Sequence, residues 1–223
     1  MIKAFIFDLD NTLYPYDACN RHAAEAFLRA CMQLCGRSRQ ECTALYEQAK
    51  AYVKARLGST AACHNRMLYA QRFLELAGLR PAENALTLYN AYWDTFLARM
   101  EPYPYVPALF AMLADRQIRI ALLTDLTSQI QHRKIERLGI GPFVDVLVTS
   151  EEAGREKPDP NMFALVLEKL GLDAAQAVMV GDDQKKDMEG ARMAGMRGIW
   201  FTCEKQGSMI KACMEVIDGE TKG

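Results

Sequence analysis

The sequence has no surplus of positive charge: 27 Lys and Arg are set against 28 Asp and Glu, a formal net charge of -1. That balance argues against a general binder of nucleic-acid polymers, whose backbone affinity rests on a basic excess. Nor is there an apolar run near the ~18–20 residues of a membrane helix, and the opening MIKAFIF is cut by Asp8 before it could serve as the apolar core of a signal peptide. A cytoplasmic protein without membrane contact is the expectation. Also missing is any CxxC pair. The seven cysteines, an odd number without a secretion signal, point to reduced thiols rather than a disulfide framework. Five of them (Cys19, Cys31, Cys35, Cys42, Cys63) fall in the first third beside His64. The Cys31/Cys35 spacing, however, puts two small apolar side chains on one helix face, which core packing explains without a metal. Internal repeats and low-complexity tracts are absent as well.

What is present is an ordinary globular composition, 50% hydrophobic and 25% charged over 223 residues. That is enough for one large domain, or for a core with a smaller insert. Lys3–Phe7 (KAFIF) reads as a buried strand stopped by polar turn residues. Four helices are expected next, at roughly 17–35, 38–57, 60–77 and 81–99, with Gly36, Gly58 and Gly78 as stops and Pro81 as a start. After EPYPYVP the rhythm changes. VPALFAMLADR, IRIALL, SQIQHRKIERLG, VDVLV, PNMFALVLEKLG, AVMV, KKDMEGARMAG and RGIWF alternate helix with strand, the pattern of βαβ units and a parallel sheet covered on both faces. The fold expected is therefore α/β: a Rossmann-like core from residues 1–15 and 101–223, with an all-helical insert at 16–100. The insert carries 11 Lys and Arg against 7 Asp and Glu while the remainder is acidic, a pattern suggesting a basic lid over an acidic floor.

In open parallel sheets ligands bind beyond the carboxyl ends of the strands. Those ends supply Asp8 and Asp10, then Thr124, then Lys157 ahead of Pro158, then Gly181, Asp182, Asp183 and, further on, Asp187. Each has a structural reading when taken alone. Asp8 and Asp10 suit turns, Thr124 could cap the helix beginning near Thr127, Lys157 could be a solvated loop charge, and Asp182 or Asp183 could start the helix holding Lys185 and Lys186. Their coincidence is harder to explain that way, because carboxylates from two strands converging at one edge are costly unless a divalent cation neutralises them. An oxygen-rich pocket of this kind suits Mg²⁺. Chemically the set describes phosphoryl transfer: one Asp attacks phosphorus, a second carboxyl two residues on serves as acid and then base, and a hydroxyl and a lysine hold the phosphoryl oxygens.

FIFDLDNTLY (Phe5–Tyr14), LLTDLTSQIQHRKIERLGI (Leu122–Ile140), TSEEAGREKPDPNMF (Thr149–Phe163) and VGDDQKKDMEGARMAGM (Val180–Met196), in this order, resemble the four motifs of the haloacid dehalogenase superfamily, and with the helical block they cover essentially the whole chain. The resemblance implies a Mg²⁺-dependent phosphomonoester hydrolase with an aspartyl-phosphate intermediate. It implies Asp8 as nucleophile, Asp10 as general acid/base with its backbone carbonyl also on the metal, Thr124 and Lys157 on the phosphoryl group and Asp182 on Mg²⁺. Asp187 would orient Lys157 or a metal-bound water, and Asp183 would either support the metal or start the helix. The insert matches a lid that hinges over the core.

Other readings remain open at this point. A dehalogenase of the same family needs no acid, and Asp10 speaks against it. A phosphosugar mutase would keep both aspartates, but Thr12, where mutases often carry an apolar residue, leans towards hydrolysis. A phospho-acceptor switch that is not an enzyme combines the same residue types, but it would not carry its acceptor on the first strand with a lid of about 80 residues following. Leu13-Tyr14-Pro15 resembles the pyrimidine 5'-nucleotidase-like branch, which favours nucleoside 5'-monophosphates as substrates, although Thr124-Asp125 departs from that branch's Thr-Asn. In the lid, Arg21, His22, Asn65 and Arg66 either face the leaving group or lie exposed on amphipathic helices. The aromatics Tyr46, Tyr52, Tyr69, Tyr89, Tyr92 and Trp93 define what can fit beneath the lid, and most recur at helical spacing, as lid core would. Oligomeric state is not legible.

Overall fold

The computed structural model describes residues 1–219, so residues 220–223 of the expected core segment lie outside the described residues. The chain divides into two compact units, Met1–Pro15 with Glu101–Gly223, and Tyr16–Met100.

The first unit is built on five strands, β1 (Ala4–Phe7), β2 (Arg119–Thr124), β3 (Val146–Thr149), β4 (Ala177–Gly181) and β5 (Arg197–Trp200). All neighbours pair in parallel, in the order β3-β2-β1-β4-β5. This is the α/β fold expected from the alternation of strand and helix patterns. Every residue of AFIF in β1 is buried, because a central parallel strand is covered on both faces as well as both edges. The edge strand β5 is mostly exposed and carries Arg197, a charge that discourages pairing with another chain.

The Tyr16–Met100 unit is all helical: α1 (Tyr16–Cys35), α2 (Arg39–Leu57), α3 (Arg66–Ala77) and α4 (Pro81–Ala98). Ser38 caps α2 in a reciprocal box with Glu41. The glycine stops are real, with Gly36, Gly58 and Gly78 all at positive φ, which costs glycine least. The third helix is not continuous from residue 60. A 3₁₀ turn over Ala61–His64 comes first, then Asn65 leaves the helical region (ψ 113°) and its side chain accepts the Met67 N–H at 2.8 Å, so that α3 begins at Arg66. The aromatic residues divide. Tyr46, Tyr69, Tyr92 and Trp93 are buried in the unit's core with Phe27, Phe73 and Phe96, whereas Tyr52 is exposed and Tyr89 half-buried.

The first unit's helices are α5 (Tyr105–Asp115), α6 (Ser128–Leu138), α7 (Ser150–Ala153), α8 (Pro160–Leu170), α9 (Gly190–Met193) and α10 (Met209–Gly219). Alternation along β1 decides which cover which face. Phe7 packs against Phe110 of α5 with the rings tilted by 45° and 5.1 Å between ring centres. Ala4 and Ile6 point the other way, into a cluster with Met162, Phe163 and Val166 of α8 and Ala191 of α9. Among the described residues no helix is long and apolar enough to cross a membrane.

Candidate active site

The chain runs from β1 out to β2 and β3 and then returns across β1 to β4, so the strand order reverses beside β1. Open α/β sheets offer their ligand crevice at such a point. The register puts Phe7 level with both Leu122 and Val180. Asp8, the next residue, is pinned by its N–H to the Val180 carbonyl at 2.9 Å and projects where β4 ends in Gly181-Asp182. Asn11 then turns the chain back with a φ of 61°, a conformation asparagine tolerates better than most residues. The Tyr105 hydroxyl, donating to the Thr12 carbonyl, ties this loop to α5.

Five predicted or noted residues meet here. Lys157, arriving after β3 and the Glu156 corner, has a side chain only 2% exposed and is no solvated loop charge. Its Nζ donates to Asp8 Oδ1 at 2.5 Å and to Asp187 Oδ1 at 2.7 Å. The Thr12 hydroxyl lies 3.3 Å from Asp8 Oδ2 and 3.4 Å from Asp182 Oδ1, so its one proton serves either carboxylate. Oxygens of Asp8, Asp182 and Asp187 all lie within 4.8 Å of one another. A π-helical turn over Gln184–Glu189 brings Asp187 back to the strand edge, where its Oδ2 accepts the Asp183 N–H at 3.0 Å. Gly181 is required for this approach, since a Cβ there would collide with the Asp187 carboxylate.

The other predicted residues are placed differently. Asp183 turns its carboxylate onto the N–H groups of Lys185 and Lys186 (2.8 and 2.9 Å), which is the N-cap of the following turn. Thr124 caps nothing, the N-cap of α6 being Thr127. Thr124 Oγ1 accepts from Gln131 Nε2 at 2.6 Å and donates to the Asp125 carbonyl over a long 3.4 Å. The Asp10 carboxylate is held by the Tyr14 hydroxyl at 2.6 Å and by Lys134 Nζ, 2.8 Å from both oxygens. In the helical unit Arg21 and His22 are exposed, Asn65 is a cap and Arg66 is buried.

Three polar residues escaped the sequence reading. Lys134 and Gln131 are fully buried on α6 beside Ile130, Ile135 and Leu138, so the legible signal was a cation on the apolar face of an amphipathic helix. Lys186 is the third. It lies 2.7 Å from Asp125 Oδ2, while Asp125 Oδ1 accepts the Lys157 N–H at 3.0 Å. An aspartate in place of asparagine at position 125 thus has its charge met locally.

Burial drives the electrostatics. It pushes the Asp8 carboxyl well above the ordinary carboxylate range, with Lys157 opposing and Asp187, Asp10 and Asp182 adding to the rise. Burial, then Asp187, lifts Asp182 to about 6. For Lys157 burial works against the charge, but Asp187, Asp8 and Asp125 hold its ammonium well above the usual lysine value. Asp182 forms no ion pair among the described residues, although it stands beside two other carboxylates. A half-buried carboxylate in that position fits a hard divalent cation bound through oxygen.

The profile of the haloacid dehalogenase-like hydrolases matches residues 2–195. The chain is 42% identical over 204 residues to a ribulose-1,5-bisphosphate 5-phosphatase of Halopiger xanaduensis, covering 90% of this chain and 85% of that one. It is 34% identical over 197 residues to a glyceraldehyde 3-phosphate phosphatase of Methanopyrus kandleri, covering 88% and 82%. Among solved structures it is similar to a 2-haloacid dehalogenase from Pseudomonas syringae, with a TM-score of 0.71 and 27% identity over 90% of this chain and 86% of that one. With strand order, site and profile in agreement, the chain belongs to the haloacid dehalogenase-like hydrolase family, beside relatives that are phosphatases.

Proposed function

We propose that the protein is a Mg²⁺-dependent hydrolase of a small phosphomonoester, with Asp8 as nucleophile and Asp10 as general acid and base. The observation that carries this reading is the environment of Asp8: buried at the crevice edge, one oxygen on Lys157, the other beside Thr12, and two further carboxylates close by.

In the first step Asp8 attacks phosphorus and the bond to the ester oxygen breaks, leaving an aspartyl-phosphate. Asp10 delivers a proton to the departing alcohol. In the second, Asp10 takes a proton from water, which attacks the same phosphorus and returns the Asp8 carboxylate and inorganic phosphate. Lys157 and the Thr124 hydroxyl, which turns from its long bond to the Asp125 carbonyl, hold the phosphoryl oxygens as charge redistributes. Lys134 and Tyr14 position Asp10. Asp8, Asp182 and the Asp10 carbonyl would hold Mg²⁺, with Asp187 supporting through Lys157; the ion would neutralise the carboxylates and the phosphate together. The helical unit is assigned as the cap, and it is where selectivity must reside, because the core chemistry asks only for a phosphate and a leaving oxygen.

For the substrate, the nucleoside 5'-monophosphates suggested by LDNTLY compete with the phosphorylated sugars and trioses named for the curated relatives. The relatives match most of the chain and the motif a few residues, so a small phosphosugar is favoured. Turnover of a panel of nucleoside monophosphates, sugar and triose phosphates and phosphoserine, with Mg²⁺ and with excess chelator, tests the reading. Full activity under chelation would overturn the metal, and a phosphoryl group trapped on a residue other than Asp8 would overturn the nucleophile. Preference for nucleotides would restore the nucleotidase branch.

A further inference from the structure

The helical unit contains its own pocket of about 330 Å³, at the lower end of the ~300–1,000 Å³ typical of small-molecule sites. Its wall includes Arg66, which is only 8% exposed. A buried guanidinium normally has a carboxylate beside it, because an unpaired ion in a protein interior is expensive. Arg66 has none among the described residues. Its Nη1 donates to the His64 carbonyl at 2.6 Å and its Nη2 to the hydroxyls of Tyr16 and Tyr92 at 2.7 and 3.1 Å, all neutral acceptors. Its Nε is buried without any partner. Three ring faces, of Tyr69, Tyr92 and Trp93, stand 5.0–5.8 Å from the guanidinium carbon, which supports the cation without neutralising it. The pocket's other charges do not supply the missing anion. Lys50 and Lys54 add positive charge, and the one carboxylate, Glu47, is already paired with Lys50 at 2.9 Å.

The break at Asn65 explains how Arg66 comes to this position. By interrupting the expected helix it makes Arg66 the first residue of α3, in the turn whose backbone N–H groups also favour an anion. We propose that this pocket binds the anionic group, phosphate or carboxylate, of a small metabolite, with Arg66 as the counter-charge. Binding at this pocket does not rest on the phosphatase reading.

The experiment uses calorimetric titration of the full chain with alkylphosphonates and alkylcarboxylates of three to six carbons, for the wild-type protein, Arg66→Met and Arg66→Lys. The wild type takes up an equivalent of the anion that Arg66→Met binds about tenfold or more weakly, while Arg66→Lys keeps part of that binding. Equal affinity and equal stoichiometry in all three folded proteins would overturn the proposal. Because no turnover is needed, failure of the phosphatase reading would appear separately, as a panel without product. Arg66→Lys, which keeps the charge, guards against a folding defect in Arg66→Met.

Discussion

The core unit gathers Asp8, Asp10, Asp182 and Asp187 around two buried lysines, Lys157 and Lys134, whereas the helical unit buries one guanidinium among tyrosine hydroxyls and ring faces. The first arrangement carries too many anions for its cations and the second a cation with no anion. In the core Asp8 and Asp187 lean on Lys157 and Asp10 leans on Lys134, so removal of a lysine strands carboxylates in a medium that solvates them poorly. In the helical unit the charge leans on neutral groups, so its removal strands no opposite charge. That difference sets the groups proposed for the chemistry apart from the group proposed to meet a ligand.

Asp8→Asn should have the largest effect, lowering turnover on the order of 10⁴-fold or more, since the proposed mechanism has no other source of the attacking oxygen. Its fold should persist and melt no lower at pH 7.5, because the buried carboxyl is one the native state holds at a cost. Activity within tenfold of wild type would break the assignment.

Lys157→Met should come next, destabilising by roughly 3–5 kcal/mol as Asp8 and Asp187 lose their shared cation, as read by chemical denaturation without metal. A loss below 1 kcal/mol would mean that the core's charges do not depend on one another.

Lys134→Met should lower kcat by about 10–100-fold for alkyl phosphates, whose poor leaving groups need an acid, the role proposed for Asp10. For p-nitrophenyl phosphate, which leaves without a proton, the loss should be a few-fold at most. Equal losses for both would reduce Lys134 to a structural residue.

The Asp182 carboxyl, lifted to about 6, would make metal binding at the proposed site sensitive to pH. A proton must leave before the metal binds, so Mg²⁺ affinity should fall about tenfold per pH unit below 6, measured by calorimetry. For stability the sign is opposite. A carboxyl whose native pKa is raised penalises the fold above that pKa, and the penalty is relieved as pH falls through 6 towards the unfolded value. Without metal, wild type should therefore gain stability between pH 7.5 and 5.5, and Asp182→Asn should gain less.

Arg66→Met should be the mildest change, altering stability by less than about 1 kcal/mol, because an unpaired buried charge is exchanged for apolar volume. A loss as large as that of Lys157→Met would make Arg66 a structural strut and collapse the contrast between the two units.

Much of the fold was open to reading from the chain alone. Alternating apolar runs and glycine stops located the five strands and the helical segment, because buried parallel strands and amphipathic helices each impose a period on the sequence. Asp8, Lys157, Asp182 and Asp187 stood out because carboxylates and a lysine at strand ends form a pattern that local structure alone does not need. The strand order and the register were another matter, and they bring Asp8 beside residues more than 140 positions away. Burial was equally hidden: Lys134 in IQHRKIERL reads as one more helix cation until tertiary packing puts its ammonium on Asp10. Asp125 read as a departure from a motif until Lys186 was found facing it. Asn65 and Arg66 read either as leaving-group contacts or as surface polar residues until the helix broke between residues 60 and 66. Sequence periodicity determines which face of an element is apolar. Only the packed structure decides which charges are taken out of water and what is left to neutralise them.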